Sequence, residues 1–570
     1  MKMKQHVVQL LTNVVELTET EILPLIETPP SREQGDIAFP CFQLAKKFRQ
    51  APPQIAQQIL DKLNQLPLDD FGIKEVKQVG PYLNFFFDRK QYASHLLEQG
   101  MESLLSSTQI GEGKTVVVEY SSPNIAKHFQ VYHIRSTMIG QSLANTYAAL
   151  GYKVEKMNHL GDWGTQFGKL TAAFLKWGDE EKVKENPLSE LVALYVKFHE
   201  EAENHPELVD EGRMWFKKLE DGDEEAVRIW QWFKDESLKV FERLYSQLNV
   251  SFDHYLGESF YSNKMDDVIQ KIKEKDLLEE SDGALVVRLD EQNIPPCIIQ
   301  KSDGASIYAT RDLASALYRE EQFHPDKILY VVDQRQALHF QQVFSVLKKM
   351  DYAFADGCEH IAFGFMTIQG KIGSTRKGDG LLLDEVLDYA VERAMNIIEE
   401  KNPNLENKHE VAQAIGIGAI VFNDLKHHRT HNIDFNWDEA FTFEGKTGPY
   451  VQYTHARIKS LLRRASEEEA TASQSVTPHP SYESDVAWDM IYALQQYPSV
   501  LVETTKKNDP SQIAKYLLEL CQLFNRYYAQ ERFFVEDKAE VQAKIALASH
   551  VASTLKHGLE LLSIKAPDAI

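Results

Sequence analysis

Side chains able to hold charged groups gather in five stretches of this chain. The first, EYSSPNIAKHFQVYHIRS (119–136), carries Glu119, Asn124, Lys127, Gln130, Tyr132, His133 and Arg135. The second, HLGDWGTQFG (159–168), supplies His159, Asp162 and Gln166 around Gly161, Gly164 and Gly168. Three glycines in eight residues let backbone come close to a ligand, although a plain glycine-rich turn has the same composition. In the third, KSDGASIYATRDLASALYRE (301–320), Tyr308 and Asp312 are four apart and would share one helix face. The fourth, DQRQALHF (333–340), brings Asp333, Arg335, Gln336 and His339. The fifth, GKIGSTRKGDG (370–380), holds four Gly, three Lys or Arg and two hydroxyls in eleven residues. Backbone N–H groups and cations in such a loop can surround an oligophosphate. It lacks the GxxxxGK[ST] spacing of a Walker loop, and a charged surface hairpin is its bland alternative.

Cations facing phosphates and carboxylates facing an organic cation would be complementary halves of one pocket. Transfer at an α-phosphate needs positioning and neutralisation of the leaving pyrophosphate more than a covalent nucleophile. No Ser/His/Asp order and no HExxH motif offers a competing chemistry.

Strands and helices must position these loops. VVVE (116–119) reads as a buried strand, SSPN (121–124) breaks it, and apolar residues at Ile134, Met138, Ile139, Leu143, Tyr147 and Leu150 follow at helical spacing. Strand, polar loop and helix N-terminus form the crevice where open α/β sheets bind ligands. Residues 152–158 and 328–332 read as further strands, each ending at one of the polar loops. Residues 284–289, 296–300 and 361–366 are also β-like. Acidic and lysine-rich helices fill 180–282, an expected insertion between two halves of a sheet. Before residue 110 the pattern is a small α/β unit with a turn at Gly80-Pro81. The last 120 or so residues read as a helix bundle. In it, 450–464 carries Arg457, Lys459, Arg463 and Arg464, and NRYYAQERFF (525–534) mixes aromatics with arginines. Such a mixture can stack exposed bases or form a core face.

With 570 residues the chain can bury several cores. Cys41, Cys297, Cys358 and Cys521 lie far apart, which suggests neither a metal knuckle nor a disulfide framework. A net charge of −23 argues against wholesale nonspecific nucleic-acid binding but permits a basic strip on one face. No run of eighteen apolar residues occurs, so no membrane span is expected, and the interrupted, acidic N-terminus does not read as a signal peptide.

The order and spacing of SSPNIAK (121–127), NHLGDWGTQFGKL (158–170), DGASIYATRDLA (303–314), DQRQALHFQQVF (333–344), STRKG (374–378) and GPYVQYTHAR (448–457) resemble the arginyl-tRNA synthetases, a class I aminoacyl-tRNA synthetase family, over nearly the full length. The resemblance implies ATP-dependent ligation of L-arginine to tRNA(Arg) through an arginyl-adenylate, releasing AMP and diphosphate. Mg2+ would accompany ATP without a dedicated protein site. The implied fold is α/β. A doubly wound, Rossmann-like parallel-sheet catalytic core spans 111–435, with its helical insertion at about 180–282. An additional tRNA-contacting α/β domain covers 1–110 and an all-helical anticodon-binding domain 436–570. A cytoplasmic monomer with no membrane association is also implied.

By the same resemblance, Glu119, Asn124, His159, Tyr308, Asp312 and Gln336 hold arginine. Gln130, Tyr132, His133, Gly161, Asp162, Gln166 and Lys371 meet ATP. Lys127, His133, Lys371, Arg376 and Lys377 serve catalysis, the last three in a KMSKS-type loop. Gln452, Arg457 and Tyr528 touch tRNA. Two motifs depart from the family pattern. KHFQVYHIRS (127–136) stands where KPFHxGHxRS is usual, so that His128 replaces proline, Gln130 the first histidine and Tyr132 the glycine that lets adenine lie against backbone. KIGSTRKG (371–378) is one residue longer than the common KMSTRKG, so either Lys371 or Ile372 aligns with the first lysine. Both changes fall on ATP-contacting loops. They leave open a synthetase-like paralogue that binds arginine or tRNA with weak or altered activity.

Overall fold

A computed structural model describes residues 2–106, 108–302, 308–369, 382–468 and 476–570. The N-terminal unit begins with helix α1 (Lys2–Thr12), which buries Val7, Leu10 and Leu11. Strand β1 (Ile37–Pro40) follows, then helix α2 (Pro52–Leu63), whose two prolines occupy the first turn, where no N–H is needed. Strands β2 (Ile73–Val79) and β3 (Tyr82–Phe87) complete an antiparallel sheet in the order β1-β3-β2. The β2–β3 turn falls at Gly80-Pro81, as the sequence suggests, with Gly80 at φ 57°. Helix α3 (Arg89–Ser106) leaves this unit, bending at Gly100, whose φ is 68°.

The core sheet has five parallel strands in the order β11-β10-β4-β5-β6: β4 (Thr115–Glu119), β5 (Lys153–Asn158), β6 (His254–Tyr255), β10 (Lys327–Tyr330) and β11 (Cys358–His360). Val116, Val117 and Val118 are fully buried, as expected of a parallel strand covered on both faces. Helix α4 (His133–Ala149) carries the chain from β4 to β5, and α5 (Thr165–Trp177) follows β5. The sheet grows outward from β4 to β5 and from β10 to β11. The gap between β4 and β10 is therefore the topological switch point, where α/β sheets place ligands.

The helices expected at about 180–282 occupy a shorter span. After α6 (Pro187–Asn204), α7 (Glu207–Glu220) and α8 (Glu224–Gln247), the chain returns to the sheet as β6, where His254 pairs with Met157. Past helix α9 (Met265–Glu274), the β-like stretches near 284–300 form their own antiparallel sheet, β7 (Glu279–Ser281), β8 (Ala284–Val287) and β9 (Cys297–Gln300). In β9 burial alternates although the residues are apolar, with Ile298 exposed and Cys297 and Ile299 buried, which a central parallel strand does not allow. Helices α10 (Tyr308–Phe323) and α11 (Ala337–Lys349) pack with this sheet around Leu313, Val343 and Leu347.

The short parallel pair β12 (Met366–Ile368) and β13 (Ile433–Phe435) leads into the helical C-terminal part. This comprises α12 (Leu383–Lys401), α13 (Lys408–Leu425), α14 (Gly448–Glu467), α15 (Asp485–Lys507), α16 (Ser511–Gln530) and α17 (Lys538–Leu561). The expected strand at 361–366 is shorter and later, because Gly364 gives its N–H to the Arg429 carbonyl and Phe365 its N–H to the Asn432 side chain instead of to a strand. One ion pair ties core to bundle. Arg135 meets Asp424 at 2.8 Å, both fully buried, and its remaining N–H groups donate to the carbonyls of Gly364, Arg429 and His431. The N-terminal unit docks on the bundle: the buried Asp36 carboxylate accepts from Trp488 Nε1 at 2.7 Å, and Arg32 pairs with Asp489. No helix among the described residues is long and apolar enough to cross a membrane.

Candidate active site

At the end of β4 the backbone turns through Ser121 (φ 69°), Ser122 (φ 50°) and Ala126 (φ 57°). Non-glycine residues in this left-handed region are strained, and strain of this kind collects at ligand sites. The turn is stitched to the loop after β5: Gly161 donates to the Pro123 carbonyl and Ile125 donates to the Gly161 carbonyl. A Cβ on Gly161 would stand 2.2 Å from Asn124 Oδ1, so glycine is what lets the two loops meet. Asp162 is not a nucleotide ligand here, contrary to the expectation. It is fully buried, pairs with Lys234 at 2.7 Å and accepts from the backbone and hydroxyl of Ser259, both at 2.8 Å. A carboxylate at zero exposure with these partners has no oxygen left for a ligand.

A cleft of about 210 Å3 opens beside these loops, lined by Asn124, Lys127, Gln130, Tyr132, His133 and Gln166, with Val192 and Tyr195 contributed by α6. His133 opens α4. His133 Nδ1 lies 3.0 Å from the Gln130 backbone N–H, which donates to it in one tautomer, and 3.2 Å from the Gln130 carbonyl, to which it donates in the other. Burial pushes the imidazole down to about 4, so it is neutral at pH 7. The Tyr132 ring turns outward, 46% exposed, and lies against the His133 ring at 4.2 Å. Lys371, Arg376 and Lys377 fall outside the described residues. The chain flanking them is fixed at the cleft: Gln369 donates to the Phe435 carbonyl, and Leu383 donates to that of Phe129 at 2.8 Å. Leu382 also forms an antiparallel bridge with Gln130.

Carboxylates gather on the other side of the switch point. Glu119, at the end of β4, is ion-paired with Arg319 of α10, which is fully buried over the Tyr330 ring. Asp312, two helical turns before Arg319, meets His339 of α11 at 2.5 Å. Burial raises the Tyr330 hydroxyl well above its ordinary value. Arg319 opposes that shift, and Glu119 and Asp312 both add to it. Two carboxylates from distant parts of the chain thus act on that hydroxyl electrostatically, Glu119 paired with Arg319 and Asp312 two turns earlier on the same helix. Arg311 pairs with Glu258 at 3.2 Å, and His159 stacks on Tyr261 at 5.5 Å. Tyr308 starts α10 and is largely exposed; Gln336, in a short turn before α11, is exposed as well. Arg319, Glu258 and Tyr261 were not singled out from sequence. Only Arg319 left a signal, since it falls seven residues after Asp312 and so on the same helix face.

Residues 94–437 match the family described as tRNA synthetases class I (R), catalytic domain, flanked by matches to the arginyl tRNA synthetase N terminal domain at 1–87 and the DALR anticodon binding domain at 451–570. The chain belongs to the class I arginyl-tRNA synthetases. Arginine--tRNA ligase 1 of Bacillus thuringiensis subsp. konkukian is 50% identical over the whole of both chains. Arginine--tRNA ligase of Alkaliphilus metalliredigens is 49% identical over 99% of each. The solved arginyl-tRNA synthetase of Thermus thermophilus superposes with a TM-score of 0.80 at 25% identity, covering 100% of this chain and 99% of that one.

In this arginyl-tRNA synthetase the segment matching the anticodon-binding family places Arg457 between two aromatic rings, 5.0 Å from that of Tyr453 and 5.4 Å from that of Tyr528, with Nη1 donating to Asn525 at 2.7 Å. Arg457, Tyr453 and Asn525 rim a hollow of about 630 Å3. Gln452 is not part of that surface, contrary to the expectation. It is fully buried and its amide donates to the carbonyls of Ala414 at 2.9 Å and Lys565 at 2.8 Å. One position along a helix turns a side chain by about 100°, which is enough to separate Gln452 from Tyr453. The basic strip expected along 457–464 is largely paired internally: Lys459 meets Asp568, Arg463 donates to the Asp568 carbonyl, and Arg464 pairs with Glu468.

Proposed function

We propose that the crevice between β4 and β10 activates L-arginine with ATP and passes it to tRNA(Arg). The chain is an arginine–tRNA ligase; the residue roles that follow are our reading. The observation that carries them is that α10 gathers both carboxylates, Asp312 on the helix itself and Glu119 through its ion pair with Arg319 two turns later, while the loop after β4 lines a cleft with a neutral histidine. A planar guanidinium suits a carboxylate fork, and Asn124, His159, Tyr308 and Gln336 would complete its surroundings. The arginine carboxylate attacks the α-phosphorus of ATP, the bond to pyrophosphate breaks, and its electron pair leaves with pyrophosphate. His133, in the tautomer protonated at Nε2, would steady phosphate oxygens without adding charge. Lys127, Lys371, Arg376 and Lys377 would balance the charge of the leaving group. Gln130, Tyr132, Gly161 and Gln166 border the nucleotide. A terminal ribose hydroxyl of tRNA then attacks the arginyl carbonyl and AMP departs.

Among the described residues no group of three His, Cys, Asp or Glu side chains could hold a metal ion. Mg2+ would arrive on the phosphates of ATP and offset their charge. Residues 1–110 and 436–570 would reach the tRNA, the latter through Arg457 and Tyr528, with the protein acting as a cytoplasmic monomer. A second reading, a paralogue that binds arginine or tRNA with weak turnover, rests on Gln130 and Tyr132 in the first motif. Charging of a tRNA(Arg) transcript with labelled arginine separates the two. We expect product that requires ATP, Mg2+ and tRNA; no product at high enzyme concentration would overturn the proposal.

A further inference from the structure

The side chain of Glu119 has one polar partner among the described residues, the guanidinium of Arg319. Glu119 ends β4, and its side chain is only 9% exposed. A carboxylate this far from water is stable in its charged form only beside a matching charge. Arg319 comes from α10, on the face that carries Asp312. Between the two the helix advances by about 10 Å, close to two full turns. One helix therefore bears one carboxylate of the candidate site and holds the other through an arginine.

As a support for the fold, this pair is poorly made. Arg319 is fully buried, yet its Nε and Nη1 have no hydrogen-bond partner. The guanidinium lies over the Tyr330 ring of β10 at 5.3 Å, and the Tyr330 hydroxyl is unpartnered too. Burial works against charge on Arg319, and Glu119 more than offsets it. Donors left unpaired in the interior are costly, and a buried ion pair often does no more for folding than apolar side chains of its size. Arg135 is the contrast: buried as well, it spends its N–H groups on Asp424 and three backbone carbonyls.

What Arg319 supplies is direction. A glutamate carboxylate can swing about its side-chain bonds, and a guanidinium on Oε2 fixes it and leaves Oε1 for another donor. We infer that Arg319 is a positioning residue for arginine recognition, orienting Glu119 so that Oε1 meets the substrate guanidinium. This rests on reading Glu119 and Asp312 as the guanidinium ligands. The other cations at hand are engaged elsewhere. Arg311 pairs with Glu258 at 3.2 Å and His339 with Asp312 at 2.5 Å, so the hold on Glu119 falls to Arg319.

The test is titration calorimetry of the full-length protein with L-arginine, comparing the native chain, Arg319→Lys, Glu119→Gln and the double variant. Lysine keeps the charge and loses the planar fork that sets direction. Arg319→Lys should weaken arginine binding by about tenfold, the worth of one hydrogen bond to a charged group. The KM for ATP in tRNA charging should stay within about twofold, which a general loosening of the fold would not allow. With Glu119→Gln already present, Arg319→Lys should cost nothing more, because a residue that acts through another has no effect once that other is gone. Native affinity in Arg319→Lys beside weakened binding in Glu119→Gln would overturn the inference alone. Losses that multiply in the double variant, or a KM for ATP that rises in step, would do the same. Should Arg319→Lys not fold, Arg319→Met in the Glu119→Gln background takes its place, and a further loss there overturns the inference. If Glu119→Gln does not fold, the split between the two substrates in Arg319→Lys decides. Native affinity in Glu119→Gln would instead overturn the underlying reading, since Glu119 would then be no ligand of arginine.

Discussion

This chain has Tyr132 where the motif it resembles calls for a glycine. A tyrosine there could crowd the base or turn away from it. Its ring lies at the rim of the cleft, 46% exposed and resting on His133 at 4.2 Å, and its backbone is ordinary right-handed helix, so the residue is not strained. Tyr132→Gly should therefore leave the KM for ATP within about threefold, since a small residue at this helix cap costs only a few tenths of a kcal/mol. Pyrophosphate exchange in the presence of tRNA measures this. A loss beyond tenfold would make the ring part of the nucleotide site. Single side chains were legible in the sequence to the extent that spacing fixes direction. Tyr308, Asp312 and Arg319 share a face because a helix has one period throughout. Asp162 and Gln452, placed at ligands by the resemblance, are both fully buried. Both lie where other elements, α8 in one case and the chain around Lys565 in the other, supply buried partners that no local pattern announces.

The helix α4 shows how one element serves both chemistry and architecture. Its first residue, His133, faces the cleft, and two residues later Arg135 turns into the interior to join Asp424 and three backbone carbonyls. Burial raises the Asp424 carboxyl and Arg135 pulls it back. Removing the cation leaves a buried charge without a partner, which costs about 3–5 kcal/mol. Arg135→Leu should lower stability by that amount in urea unfolding, while a change below 1 kcal/mol would mean that the pair is not a support. The long helices and buried parallel strands could be read from period and apolar runs, since those patterns are local. The short strands β8 and β9 could not be placed in a sheet, because three or four apolar residues have the same appearance in any sheet, and the polar β7 gives no strand pattern at all. The end of the helical insertion was missed for a related reason: β6 is two residues long and its only signature is its partner, β5.

Across the molecule the N-terminal unit is held by the bundle more than by the catalytic core. Asp36, 2% exposed, receives N–H groups from Phe87 and Trp488 and sits within 4.0 Å of the guanidinium of Arg32 and 3.8 Å of that of Arg89. Asp489 in turn holds Arg32 and Arg526. Asp36→Ala should loosen the docking without reaching the crevice. Limited proteolysis should cut within or just after the first ninety or so residues more than tenfold faster, with arginine affinity unchanged; an unaltered digestion pattern would mean that apolar packing alone suffices. Asp36 and Trp488 are 452 positions apart in the chain. During translation the opening segment leaves the ribosome long before its docking surface has been made, at roughly 5–20 residues per second. For something like half a minute or more its future contact face is exposed in the cell, so the early segment must hold its own shape or be shielded until the last helices arrive.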